Sequence, residues 1–156
     1  MQSGSIYELC ILASLTFVLV YVINDDLRHY RIRNEIIVLV LVLFAILCLV
    51  KADWAFEKVH VTFGAIAFVC LLAVYALGLT GGGDAKLLAV AFLWLGPRYA
   101  LLFSILMLAA TVCYYGAVRA GLVPHRSRNG KTVIPWGPSI AAAWIGAVLS
   151  ERLWPL

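Results

Sequence analysis

The sequence predicts an all-α integral membrane protein, a bundle of about six transmembrane helices with the fourth short, in one membrane-embedded domain over residues 1–156. Three observations predict it. Hydrophobic residues make up 64% of the chain and charged residues only 13%, where a soluble domain is about half apolar and about a quarter charged. Mean hydropathy is +0.99. The charges also gather between long apolar runs instead of spreading along helical faces, leaving too little polar surface to cover a water-soluble globule. No linker, soluble domain, low-complexity tract or repeat interrupts this pattern.

The elements follow in order. Residues 1–6 carry no Lys or Arg, and Glu8 opens the apolar run Leu9–Ile23. The basic start of a cleavable signal is missing, so the segment at 7–23 reads as a retained span. Segments at roughly 35–50, 60–79, 99–118 and 135–149 approach the ~20 apolar residues that a hydrocarbon core requires of a helix. A shorter one, Ala85–Leu95, sits between Gly81-Gly82-Gly83 and Gly96-Pro97. Extended to Pro97 it reaches about 20 Å as helix, against a core of about 30 Å. Its start, Asp84, is therefore expected at or beneath a membrane surface, where an unpartnered carboxylate costs several kcal/mol and marks a candidate functional site.

Charge orients the bundle. With six spans, the loops at 24–34, 80–86 and 119–134 share a face. They hold Arg28, Arg31, Arg33, Lys86, Arg119, Arg126, Arg128 and Lys131, eight of the twelve Lys and Arg residues; Lys51, Lys58, Arg98 and Arg152 fall on the other. The positive-inside rule puts those three loops in the cytoplasm and both termini outside, with Asp26 and Asp84 on one side. The net charge of +4 does not indicate a nucleic-acid partner, because the basic residues flank apolar spans and do not interleave with aromatics. The four cysteines (Cys10, Cys48, Cys70, Cys113) lie singly in apolar runs without a CxxC pair, which argues against a zinc or thioredoxin-like site.

Two segments carry candidate chemistry. In Gly81-Gly82-Gly83-Asp84-Ala85-Lys86-Leu87, glycines permit positive φ and close approach of a second chain beside a carboxylate. A phosphate loop is ruled out, since GxxxxGK[ST] is absent; a turn whose Asp caps the next helix is the plain alternative. The other, Asn24-Asp25-Asp26-Leu27-Arg28-His29-Tyr30-Arg31-Ile32-Arg33-Asn34, reads by itself as a solvated loop with His29 on the surface. Together, two carboxylates at the same ends of different spans can converge on one water. An aspartyl protease needs one ionised as base and one protonated as acid, a split that like charges about 3 Å apart enforce. The sequence offers no metal set, no cofactor motif and no activated serine or cysteine with a matching histidine.

These residues resemble the prepilin peptidase family (A24 aspartic peptidases), in the short form that serves tight-adherence (Flp) pili. Gly81, Gly83 and Asp84 match GxGD, extended by Lys86 and Leu87 to GxGDxKL. Asp26-Leu27-Arg28 through Ile32-Arg33-Asn34 matches D-L-R-x-x-x-I-P-N, with Arg33 where the pattern has proline. Ile134-Pro135-Trp136-Gly137-Pro138, leading into Ala141-Ala142-Ala143, resembles the P-[YF]-G-P of the last span. The resemblance implies Asp26 and Asp84 as the catalytic pair, shaped by Gly81, Gly83, Lys86 and Asn34. It implies removal of the leader from prepilins, after a glycine, at the cytoplasmic face of a bacterial inner membrane, with no cofactor. Membrane lipid and the pilus secretion machinery are the further implied partners. Larger relatives also methylate the new N-terminus through an added segment with paired cysteines; no such segment fits here, so methyltransferase activity is not expected.

Three other readings compete. A small transporter subunit would place acidic residues mid-span, whereas the acids here lie at span ends or in loops. A non-catalytic assembly component of a pilus system fits Arg33 but has no need of two costly carboxylates. A presenilin-type protease would show a Tyr-Asp partner motif within a span, which is missing.

Overall fold

Within hydrocarbon a backbone must satisfy its own hydrogen bonds, and long apolar runs do so as helices. The computed structural model describes residues 3–29, 31–121, 126–128, 131–133 and 136–153. Its elements are α1 (Ser3–His29), α2 (Asn34–Lys51), α3 (Trp54–Ala76), α4 (Gly82–Arg119), the short strands β1 (Arg126–Arg128) and β2 (Lys131–Val133), and α5 (Gly137–Leu153). Helices α1 to α4 are long and apolar enough to cross a membrane. The fold is the all-α membrane class that the sequence predicts.

Two expectations need correction. The helices are five among the described residues, not about six, because the segments at 85–95 and 99–118 are joined without a loop. The only interruption in α4 is Gly96 (φ 62°, ψ −175°), followed by Pro97. Glycine takes that positive φ without the penalty of a Cβ, and the proline cannot continue the hydrogen-bond ladder behind it. The halves bend toward each other there: the rings of Phe92 and Phe103 meet edge to face at 5.3 Å, although eleven residues of straight helix would separate them by about 16 Å. Secondly, the span expected at 135–149 is the 17-residue α5, shorter than each of the four helices long and apolar enough to cross a membrane. Pro135 of that expected span, and Ile134 before it, lie outside the described residues. The loop expected at 119–134 also holds the antiparallel pair of β1 and β2, with Ser127 opposite Thr132.

Tight connections set the ends of the bundle. Between α2 and α3 only Ala52 and Asp53 intervene. Ala52 takes the left-handed conformation, and the Asp53 carboxylate caps α3 by accepting from Ala55 N and Phe56 N. One stripe per helix faces inward, such as Leu15, Leu19 and Val22 on α1 and Val40, Phe44 and Leu47 on α2, while Phe17, Leu49 and Leu101 are 72–80% exposed. That surface suits lipid. Innermost is α5, where Ile140, Ala141, Trp144 and Ala147 are fully buried against α1 and α4; its small residues allow the close helix approach on which membrane packing depends. Across the bundle, Trp94 Nε1 donates to Val40 O (3.2 Å) and His60 Nδ1 to Leu93 O (3.0 Å).

One end holds the Glu8–Arg152 ion pair (3.8 Å) beside a cavity also lined by Lys51, Phe56 and Arg98. The start of α1, the end of α2, the start of α3, the break in α4 and the end of α5 therefore lie together. The end of α1 and the starts of α2, α4 and α5 meet at the opposite end.

Candidate active site

At that opposite end, six sequence-identified residues come together. Asp26 lies in the last turn of α1, one residue past Asp25, and both are buried. A helix turns about 100° per residue, so neighbouring carboxylates face different partners. Asp26 Oδ2 accepts a hydrogen bond from Gly137 N (3.0 Å), at the start of α5. Asp25 instead faces His29 Nδ1 (2.9 Å) and Arg33 Nε (3.5 Å).

Asp84 occupies the first turn of α4, a position that the helix dipole favours for a carboxylate. It is half-buried and near enough to Asp26 for the two charges to interact. The helix begins at Gly81, which has extended backbone and makes no side-chain cap, so Asp84 is not the N-cap that the plain alternative proposed.

The glycine run is not used for positive φ; among the described glycines that conformation falls at Gly78, Gly96 and Gly121. Its use is close approach. A Cβ on Gly81 would stand 2.8 Å from Asp84 Oδ2, one on Gly82 3.2 Å from the Tyr75 ring, and one on Gly83 3.2 Å from Ile32 Cβ. The α4 start is thus seated on the segment between α1 and α2. Lys86 Nζ donates to Asn34 Oδ1 (3.0 Å), a second link between the two motifs. Lys86 and Asn34 are exposed, as is Gly81, while Gly83 is half-buried.

Gly137 was not among the residues first singled out for the site. A Cβ there would stand 2.5 Å from Asp26 Oδ2 and 2.9 Å from Cγ. Its signal was the P-[YF]-G-P resemblance, which marks the glycine without saying what approaches it. His29 is exposed as expected, yet it is held by Asp25. Arg33 keeps an extended backbone (φ −77°, ψ 141°) at the start of α2. Among the described residues no group of three or more His, Cys, Asp or Glu side chains could hold a metal ion.

The arrangement brings two carboxylates from distant parts of the chain to one end of an apolar bundle, one half-open and one lodged against a backbone N–H. Such a pair can share a proton and act on a water between them. The model of the type IV leader peptidase family matches residues 12–116, a stretch containing both carboxylates, the glycine run, Asn34 and Lys86 but not Gly137. No curated protein and no solved structure matches the chain.

Proposed function

Because the chain belongs to the type IV leader peptidase family, we propose that it is an aspartic endopeptidase that removes prepilin leaders, with Asp26 and Asp84 as its catalytic pair. The observation that carries this is that Asp26, in the last turn of α1, and Asp84, in the first turn of α4, lie at one end of the bundle, where the Asp26 charge bears on Asp84. The ionised carboxylate takes a proton from water as its oxygen attacks the scissile carbonyl, and the protonated one gives its proton to the carbonyl oxygen. Collapse of the tetrahedral intermediate breaks the C–N bond and passes a proton to the departing amine. A pilin's apolar helix would lie in the bilayer beside the lipid-facing helices, with its leader at the surface where α1 ends and α4 begins.

The short Flp-pilus form and the absence of methyltransferase activity belong to the same proposal. The test is direct: purified protein in lipid is incubated with Flp-type and other prepilins. Leader removal without N-methylation is expected; an uncleaved panel would sink the reading.

Orientation is proposed from the eight-to-four split of basic residues, with the aspartates at the cytoplasmic face of the inner membrane. A reporter fused at Asn129 should be cytoplasmic and one after Leu156 periplasmic. Both positions lie outside the described residues; the Glu8–Arg152 pair supports the reading that the start of α1 and the end of α5 lie on the side opposite the aspartates. Opposite locations for both fusions would invert the topology.

A further inference from the structure

Asp25 is a buried carboxylate that the proposed chemistry does not use. It is 6% exposed and touches two side chains, the His29 imidazole four residues on and the Arg33 guanidinium across the α1–α2 connection. The connection matters because of what it carries. Ile32 abuts Gly83, so closely that a Cβ on the glycine would lie 3.2 Å from Ile32 Cβ and 3.6 Å from Ile32 O. Asn34, on the other side of Arg33, accepts from Lys86. The residues flanking Arg33 therefore form the seat on which Gly83 and Lys86, and Asp84 between them, rest.

We infer that Asp25 and Arg33 are positioning residues: their ion pair, backed by His29, fixes the α1–α2 connection and thereby sets Asp84 relative to Asp26. The pair ties this seat to the turn of α1 that carries Asp26, so one contact spans both halves of the site. Arg33 sits at φ −77° and ψ 141°, inside the range of about −65 ± 15° that a proline ring imposes. As the residue before the first helical one, it has an N–H that α2 does not require. Electrostatic attraction here performs the restraint that a ring would impose covalently, at the position where the resembling motif carries proline. A proline at position 33 should therefore make the site independent of Asp25.

The inference rests on the peptidase reading, and its test separates the two. Prepilin cleavage is measured for the wild-type chain, Asp25→Asn, Arg33→Pro and the double variant Asp25→Asn/Arg33→Pro. Misplacement of a reacting group costs rate steeply, so Asp25→Asn should lose about 10-fold in kcat with little change in KM. Arg33→Pro alone should stay near wild type, and the double variant should recover to within about 2-fold. That rescue is the readout that a general loss of stability would not give.

A second measurement needs no catalysis. In a chain with Cys10, Cys48, Cys70 and Cys113 changed to alanine, Ile32→Cys and Gly83→Cys should form a disulfide readily. The 3.2 Å approach is close to the roughly 3.5–4.5 Å between Cβ atoms of a disulfide. Cross-linking should slow with Asp25→Asn and recover when Arg33→Pro is added. If Asp25→Asn leaves both rate and cross-linking unchanged, or if Arg33→Pro fails to rescue it, the positioning role is wrong. If even the wild-type chain cleaves no prepilin, the peptidase reading fails and the cross-linking series alone decides the inference.

Discussion

Asp26→Asn and Asp84→Asn are each expected to reduce prepilin processing to background, and the double variant to be no worse. Asparagine nearly preserves volume and still accepts from Gly137 N, so membrane insertion and the helix ends should survive; only the titratable proton is lost. Acid and base act as one unit, so removing either removes the same catalysis, and the effects will not add. Background should mean a loss of at least about 10³-fold, the scale seen when a member of a catalytic set is deleted. The wild-type pH profile should be bell-shaped, with limbs belonging to the pair and not to either residue. Asp25→Asn is the internal comparison: it adjoins Asp26 but faces Arg33 and His29, so its loss should be partial. Full processing by both Asp26→Asn and Asp84→Asn would end the aspartyl mechanism.

The second large effect should come from a residue without a side chain. Gly137→Ala leaves the backbone N–H in place but puts a methyl group 2.5 Å from Asp26 Oδ2 and 3.0 Å from its Cβ. Real carbon atoms do not approach so closely, so either the carboxylate or the start of α5 must move. A displacement near 1 Å at reacting groups costs on the order of 100-fold in rate. Gly146→Ala in the same helix is the control, since its methyl meets only the flexible tip of Leu106 at 3.2 Å. It should keep most activity. Equal activity in the two variants would show that the Gly137–Asp26 contact has no part in the chemistry.

Much of the architecture was legible because it depends on local composition. Apolar runs of span length produced α1 to α3 and most of α4, and Gly96-Pro97 marked the break in α4. What the pattern misjudged was continuity: a single glycine at φ 62° turns the chain without a loop, so helices expected as separate are joined. The carboxylates were identifiable from their types, their positions at span ends and the motifs around them. Their settings were not. The Gly137–Asp26 bond joins positions 111 apart, a separation at which periodicity carries no information. At Arg33 the sequence shows only a departure from the proline of the resembling pattern, because only the fold shows Asp25 buried within reach of its guanidinium. The glycine run suggested positive φ by residue type, while its contacts with Tyr75 and Ile32 arise only once the helices pack.

Synthesis order gives the innermost helix one more consequence. A nascent chain that has reached Val133 already contains Asp26, Asp84 and every residue of α1 to α4, but not the N–H that receives Asp26 or the apolar wall of Ile140 and Trp144. The helix that follows α1 to α4 in the chain is the one that seats Asp26. The setting of Asp26 seen in the finished fold is therefore out of reach of a chain that stops at Val133, whatever α1 to α4 have already formed.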